Sequence, residues 1–425
     1  MTEKMLDFIR RSPVNVYAVK TARDMLEPAG FSEWKNGEPL KAGDTRYITR
    51  NGTSLLAFRI PEGVPAGFVL SAAHTDSPCF RLRDHAEMPG TYLKLNASVL
   101  GGPIRSTWLD RPLSIAGKVL VRTETGAESR LIDMEKDCAI MPTMAGHLFK
   151  GANEGIPLDL NKDITAIYGP GESAGSFRAE VARLAGCAEE DIISTDLYLY
   201  SNEPGTVWGP SGDYLSAPRL DDLAAAFTNL EAFLTAAPSD RIQIVVLFDN
   251  EEIGSRTKQG AGSDLLPRTL RRIASALGIT DEAFEAMLDN SFMVSSDNAH
   301  AKHPNYPELS DANEAPLMNA GPAVKHSPKY ATDAVSAALF KEICRRAGVP
   351  TQDYANRPDL GGGSTLGTIS NEATSIWTVD IGLPQLSMHS TYETMGAKDV
   401  GYGIAAVKAV YEARFTLEGD SFRLE

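Results

Sequence analysis

Short apolar runs alternate with amphipathic segments over most of the chain. Residues 68–73 and 241–248 are predominantly apolar, which is typical of strands buried on both faces of a sheet. Residues 219–237 and 332–348 carry apolar side chains at helical spacing, and an Asn-Gly pair inside residues 44–63 predicts a β-hairpin. Strands that alternate with helices predict an α/β fold with a helix-covered, mostly parallel central sheet.

The pattern changes between residues 89 and 204. Short alternating runs broken by glycines replace the long apolar runs, as in LSIAGKVLVRT, and segments rich in turn residues bound this stretch on both sides. The sequence therefore predicts a β-rich domain at 89–204. This domain is inserted into a discontinuous α/β domain that consists of residues 1–88 and 205–425.

Composition narrows the classes of function. The chain has 425 residues, 43% of them apolar, and a net charge of −15. Such an acidic protein is a poor binder of nucleic acid or of anionic membranes. We find no apolar run long enough to cross a bilayer, no secretory signal, and only four widely spaced cysteines. These features predict a cytoplasmic protein without nucleic-acid or membrane partners.

Residue types that bind metals stand near the carboxyl ends of predicted strands and at the start of one predicted helix. In chain order they are His74, Asp221, Glu251, Glu252, Asp297 and His389. Ligands of open α/β sheets bind in the crevice beyond the carboxyl ends of the strands. We therefore expect these side chains to converge, although they are far apart in the sequence.

The chemistry of this set favours a metal centre. Two histidines and at least three carboxylates suit zinc, with cobalt or manganese as substitutes. If two ions share a bridging carboxylate, five of these side chains suffice as ligands and one carboxylate does not bind metal. That carboxylate, Glu251 or Glu252, could serve as the general base. Taken singly, His74 could be a polar strand-end residue, Asp221 a helix N-cap and Asp297 a turn residue.

Five motifs at these positions resemble the aspartyl aminopeptidase family of dinuclear zinc exopeptidases, which includes the vacuolar aminopeptidase. They are SAAHTDSP, PRLDDLAAAF, FDNEEIGS, SSDNAHAKHPNY and PQLSMHSTYE, and the resemblance covers nearly the whole chain. It implies a metal-dependent aminopeptidase that removes N-terminal residues from peptides, with a preference for Asp or Glu. It also implies two zinc ions per subunit and a large homo-oligomer, a dodecamer, in which the inserted domain makes subunit contacts and caps the substrate.

The resemblance also assigns roles to single residues. The zinc ligands would be His74, Asp221 as the bridge, Glu252, Asp297 and His389. Glu251 would be the general base, and Asp76 the acid that orients it. Lys325 would contact the acidic side chain of the substrate, and His147 of the inserted domain would reach into the site of a partner subunit. His300, close to Asp297 in the sequence, could hydrogen-bond the substrate or serve only in packing.

The chain departs from the family pattern at two places near these motifs. Asp222 stands where the family usually has Asn, which adds a charge beside the predicted bridge. In RPDLGGGSTLG, Asp-Leu-Gly-Gly replaces the usual Met-Pro-Cys ahead of the Gly-Ser-Thr loop. The first change could shift metal affinity, and the second leaves the fine specificity open.

Two alternative functions remain open at this stage. The first is a related dinuclear metal enzyme, either an exopeptidase with an apolar N-terminal preference or a carboxypeptidase or amide deacylase. The second is a non-catalytic binding protein on the same fold. The complete set of ligands and base argues against the latter, because a decayed enzyme usually loses one of them.

Overall fold

The computed structural model describes residues 1–149, 151, 153–155, 157–363 and 365–425. The chain forms two compact units. The first contains residues 1–76, 205–388 and 393–425, and the second contains residues 77–204 and 389–392. The first boundary therefore lies earlier than the predicted one at 88/89, and the four residues that begin with His389 group with the second unit.

The α-helices are α1 (Thr2–Arg10), α2 (Asn15–Leu26), α3 (Ser176–Ala185), α4 (Leu220–Thr235), α5 (Leu265–Ala276), α6 (Asp281–Asp289), α7 (Ala334–Arg346), α8 (Leu366–Thr374) and α9 (Ala397–Glu412). The strands are β1 (Ser32–Glu33), β2 (Thr45–Arg50), β3 (Ser54–Arg59), β4 (Phe68–His74), β5 (Cys79–Met88), β6 (Tyr92–Leu100), β7 (Pro112–Thr123), β8 (Gly126–Asp133), β9 (Ala139–Ile140), β10 (Ala166–Pro170), β11 (Ile192–Tyr200), β12 (Thr206–Trp208), β13 (Tyr214–Ala217), β14 (Ile242–Phe248), β15 (Phe292–Ser296), β16 (Ala299–His300), β17 (Ala323–His326), β18 (Gln352–Ala355), β19 (Trp377–Gly382), β20 (Pro384–Leu386), β21 (Glu393–Gly396), β22 (Phe415–Glu418) and β23 (Ser421–Leu424). None of the helices in the described part of the chain is both long enough and apolar enough to span a bilayer.

A mixed sheet forms the centre of the first unit. Its strand order is β1-β2-β3-β14-β4-β15-β19-β17-β18. The inner strands β14, β4, β15 and β19 pair in parallel, as predicted. The hairpin β2–β3 adds antiparallel pairs on one side, and β17 runs antiparallel to β19 on the other. The sheet is therefore mixed around a parallel core.

Helices cover both faces of this sheet. In β4, Val69 and Ala73 pack into a core with residues of α4 and α9, whereas Leu70 and Ala72 pack into a second core with residues of α5. Side chains of a strand alternate between the two faces. Burial of both faces explains why β4 and β14 appear in the sequence as apolar runs rather than as alternating patterns.

The second unit is a closed barrel against which helix α3 packs. Its strand order is β11-β5-β6-β10-β9-β7-β8, and β11 also pairs with β7, which closes the barrel. Closure leaves no open edge between β7 and β11. The barrel core includes Phe80, Leu95, Leu113, Val119 and Leu199. Along β6, buried residues alternate with more exposed ones, which matches the alternating pattern of the sequence.

Several features of the first unit differ from what the sequence predicted. A separate sheet has the order β12-β13-β21-β20-β16, with strands only two to four residues long. The strand predicted at 373–382 begins at Trp377, because helix α8 extends to Thr374. Such short strands contain too few residues to show a periodicity.

Candidate metal centre

Three neighbouring parallel strands bring the predicted ligands to one edge of the central sheet. Strand β4 ends at His74, and its register partner in β14 is Phe248, the last residue of that strand. The chain after Phe248 carries the two glutamates, and the chain after β15 carries Asp297. These side chains therefore follow the carboxyl ends of parallel strands in the first unit, where ligands of open α/β sheets bind.

His74 is at the centre of this group of side chains. It is 1% exposed, and its Nε2 lies 3.6 Å from Asp221 Oδ1 and 4.0 Å from Asp297 Oδ1. Its Nδ1 is 3.0 Å from the carbonyl oxygen of Asp76. A carbonyl oxygen only accepts hydrogen bonds, so Nδ1 carries a proton, and Nε2 is the ring nitrogen that faces the carboxylates.

Two sets of donor atoms come together around His74. One set contains His74, Asp221, Asp222 and Asp297, and the other contains His74, Glu251 and Glu252. Within each set, one donor atom per residue lies within 4.8 Å of the others. The structure therefore brings together five of the residues named as ligands or base.

Asp76 holds the loop that carries the two glutamates. The loop forms a single turn at Glu251–Ile253 directly after β14. The backbone N–H of Glu251 donates to Asp76 Oδ1 at 3.1 Å, and that of Glu252 donates to Asp76 Oδ2 at 3.2 Å. Asp76 is 4% exposed. It therefore fixes both glutamates through the main chain.

Asp249 is a member of this loop that the sequence reasoning missed. Its Oδ1 accepts from Asn15 Nδ2 at 3.0 Å and from the backbone N–H of Asn250 at 2.8 Å. Burial, with a smaller contribution from the Asp76 carboxylate, raises the pKa of Asp249 to about 6. The signal was present in the sequence as an acidic residue that directly follows an apolar strand.

Asp221 is not the N-cap of α4. The helix begins at Leu220 with Arg219 in the cap position, and Asp221 has non-helical angles of φ −84° and ψ 107°. Its backbone N–H donates to Glu393 Oε2 at 2.9 Å. Asp222 follows after a cis peptide bond, and its Oδ2 accepts from the backbone N–H of His74 at 3.1 Å. An asparagine oxygen, usual in the resembled family, could accept the same hydrogen bond.

The comparisons with known proteins agree with this geometry. The model of the family described as Aminopeptidase I zinc metalloprotease (M18) matches residues 8–411. The chain belongs to the M18 aminopeptidase family. It is therefore a hydrolase of the zinc metallopeptidase class.

Similar M18 proteins match along almost their whole length. A probable M18 family aminopeptidase 2 of Clostridium novyi (strain NT) is 40% identical over 422 residues, which are 96% of this chain and 98% of that protein. A protein of the same name from Pseudomonas paraeruginosa (strain DSM 24068 / PA7) is 36% identical over 97% of this chain and 98% of its own length. The S. cerevisiae mApe1 dodecamer has a TM-score of 0.84 and 28% identity, with 96% of this chain and 97% of that chain covered.

The donor set of this M18 chain fits the zinc of its family. Burial and neighbouring carboxylates raise the pKa of Asp222 well above its usual range, and they raise the pKa of Glu251 to about 8. Burial also raises the pKa of Asp297, against the opposing effect of the Lys325 ammonium group. Buried carboxylates this close together repel one another unless a cation lies between them. Imidazole and carboxylate donors are ligands that zinc accepts.

Lys325 lies beside this donor set. It is in β17, is 3% exposed, and its Nζ is 3.6 Å from Asp297 Oδ2. Its ammonium group also lies 5.5 Å from the ring centre of Tyr330. Burial alone would lower the pKa of Lys325, but the Asp297 carboxylate outweighs it and holds that pKa above its usual range. Lys325 is therefore a buried cation at the edge of the donor set.

The remaining predicted residues occupy three different places. His300 is exposed in β16, where its ring centre lies 6.3 Å from that of Tyr354. His147 is exposed in a turn of the second unit. His389, also in the second unit, directs Nδ1 to the carbonyl oxygen of Gly102 at 3.0 Å. The contact to a carbonyl places the proton on Nδ1 of His389, as in His74.

Proposed function

We propose that this M18 enzyme removes N-terminal residues from peptides, with a preference for Asp and Glu. Lys325 carries this proposal, because it is a buried cation beside the donor set. A desolvated ammonium group favours an anionic partner, and charge-assisted hydrogen bonds to carboxylates are among the stronger ones. An acidic first side chain of the substrate would be a second anionic partner of Lys325, beside Asp297.

The proposed metal centre contains two zinc ions. His74 and Asp297 would hold one ion together with the bridging Asp221, and their mutual distances support this set. Glu252 and His389 are proposed to complete the ligands of the second ion with the same bridge, on the resemblance to the family. Cobalt or manganese would be accepted by the same donors.

The positions of the protein groups support the roles proposed for them. Zinc, when bound, polarises the scissile carbonyl and makes water more acidic. Glu251 is proposed to take the proton of the attacking water and to pass it to the leaving amine. Asp76 holds the backbone of Glu251 in place, so that the base cannot drift from the reaction centre.

Assembly and location are part of the proposal. The match to the S. cerevisiae mApe1 dodecamer supports a large homo-oligomer, proposed here to be a dodecamer. His147 would act across a subunit contact in such an assembly, and the inserted domain would cap the substrate. A cytoplasmic location stays a prediction.

A panel of substrates on protein of known metal content tests the function. Asp-, Glu-, Leu- and Lys-anilides are compared with N-blocked amino acids. We expect hydrolysis of the free anilides, with kcat/KM highest for Asp or Glu, and no hydrolysis of the blocked compounds. Highest activity on Leu-anilide would replace the acidic preference by an apolar one, and cleavage of blocked substrates would favour a carboxypeptidase or deacylase.

Metal removal should make the stability of the protein sensitive to pH. The folded, metal-free protein holds Glu251 with a pKa of about 8, above the value of 4.5 for a free Glu. A carboxyl group with a raised pKa stabilises the fold below its unfolded pKa and loses that contribution as pH rises through the folded pKa. We expect the Tm of chelator-treated protein to fall between about pH 5 and pH 8, while that of the zinc-loaded protein falls less. Parallel Tm curves would contradict a metal centre at these carboxylates.

A further inference from the structure

A cavity of about 370 Å³ in the first unit is linked to the candidate metal centre through Gln385, a lining residue that accepts a hydrogen bond from Asn298, the neighbour of Asp297. Its lining includes His300 and Gln385, from paired positions of β16 and β20, and Tyr354, the register partner of Lys325 in β18. Ligand pockets typically enclose roughly 300–1,000 Å³, so the cavity can hold a small ligand or part of a peptide. Lys325 is not among its lining residues, which separates the cavity from the position proposed for the acidic side chain.

A chain of amides connects the cavity to the metal ligands. Asn298 directly follows Asp297, and its Nδ2 donates to the carbonyl oxygen of Leu220 at 2.7 Å, one residue before Asp221. The same Nδ2 donates to Gln385 Oε1 at 3.0 Å. The carbonyl of Leu220 can only accept, so the direction of both amides is fixed. Gln385 must therefore present its NH₂ group away from Asn298.

Two amide donors at this cavity have no acceptor among the residues that the structure describes. Gln385 is 1% exposed, and within the described part of the chain its Nε2 has no hydrogen-bond partner. Asn356 Nδ2, also at the lining, is buried without a partner among the described residues, while Asn356 Oδ1 accepts from the Tyr354 hydroxyl at 2.5 Å. Buried polar groups are nearly always hydrogen-bonded, so these two donors are available to acceptor oxygens that enter the cavity.

The lining favours a peptide over a small anion. Arg357 Nε and Nη2 donate to the two carboxylate oxygens of Asp359, so this guanidinium group is already paired. Glu314 adds a negative charge to the lining. Leu309 and Leu386 supply apolar surface. Neutral carbonyl oxygens together with apolar side chains are what a peptide segment offers.

We propose that this cavity binds the leaving part of the peptide, after the scissile bond, and that Gln385 Nε2 and Asn356 Nδ2 donate to its backbone carbonyl oxygens. The inference rests on the proposed aminopeptidase function. Since the carboxylates near Asn298 mark the reaction centre, the first residues after the scissile bond can reach the cavity. The enzyme then prefers peptides over substrates that end at the scissile bond.

The test compares kcat/KM for a tripeptide and an anilide that share the N-terminal residue preferred in the substrate panel. The wild-type ratio of kcat/KM for the tripeptide to kcat/KM for the anilide should exceed one.

Gln385→Glu keeps the oxygen that accepts from Asn298 but replaces the donor by an oxygen. Asn356→Asp likewise keeps the acceptor for Tyr354. Each variant should lower the ratio by about tenfold, the worth of one hydrogen bond. Asn313→Asp, an exposed control that adds the same charge outside the cavity lining, should leave the ratio unchanged.

Product inhibition provides a second measurement that does not depend on turnover of long substrates. Ala-Ala should inhibit anilide hydrolysis by the wild-type enzyme, and its inhibition constant should rise in both variants. If the kcat/KM ratio and the inhibition by Ala-Ala are unchanged in both variants, the inference is wrong and the two amide donors bind water instead. An altered preference between Asp- and Leu-anilide in the variants would instead assign the cavity to the first side chain. If the wild-type enzyme does not hydrolyse any anilide, the proposed aminopeptidase function is contradicted. This result is distinguishable from a failure of the cavity inference, which concerns only the variants.

Discussion

The Glu251→Gln variant is expected to retain wild-type zinc content and to lose activity by about 10²–10⁴-fold in kcat. Glutamine has nearly the same size but cannot accept the proton of the attacking water. The backbone N–H of Glu251 donates to Asp76, and this contact does not involve the side chain that changes. Metal analysis and steady-state kinetics on the best anilide measure the two quantities.

Glu252→Gln is the matched control for this experiment. Glu252 lies in the same turn and donates its backbone N–H to the other oxygen of Asp76 at 3.2 Å. Its proposed role is that of a zinc ligand, so the amide should lower metal content as well as activity. Full activity in Glu251→Gln, or equal metal loss in both variants, would refute the division of roles between the two glutamates.

The sequence predicted the core of the site because burial leaves a strong pattern. Strands β4 and β14 are covered on both faces, and such strands appear as apolar runs whose ends are easy to locate. His74 and the glutamate pair follow these ends directly. Once the strands are taken as parallel neighbours, the convergence of the side chains follows from topology.

Other parts of the site depend on contacts that no sequence pattern encodes. Strand β13 pairs with β21 across a long stretch of chain, and each has only four residues. Asp76 acts on backbone N–H groups, so the residue types of its partners carry no signal. The direction of the Asn298 amide is fixed by a backbone carbonyl from another element. These features require the three-dimensional structure.

Replacing Lys325 with Met should reduce the preference for acidic substrates by about 10²-fold or more. The substitution removes the only charge of a side chain that is 3% exposed, and an anionic side chain placed there would then be buried without a counter-charge. The quantity to measure is the ratio of kcat/KM for Asp-anilide to that for Leu-anilide. Lys398→Met, at an exposed lysine of α9, should leave the ratio at its wild-type value.

The ratio separates substrate recognition from damage to the metal centre. Lys325 Nζ lies 3.6 Å from Asp297 Oδ2 and opposes the effect of burial on the pKa of that carboxyl group. Its loss should therefore raise the pKa of Asp297 further and weaken zinc binding, most strongly at low pH. Weaker zinc binding lowers kcat/KM for both anilides alike and cancels in the ratio. If Lys325→Met loses activity on both anilides to the same extent, and added zinc restores both, then Lys325 supports the metal centre through Asp297 and does not select the substrate.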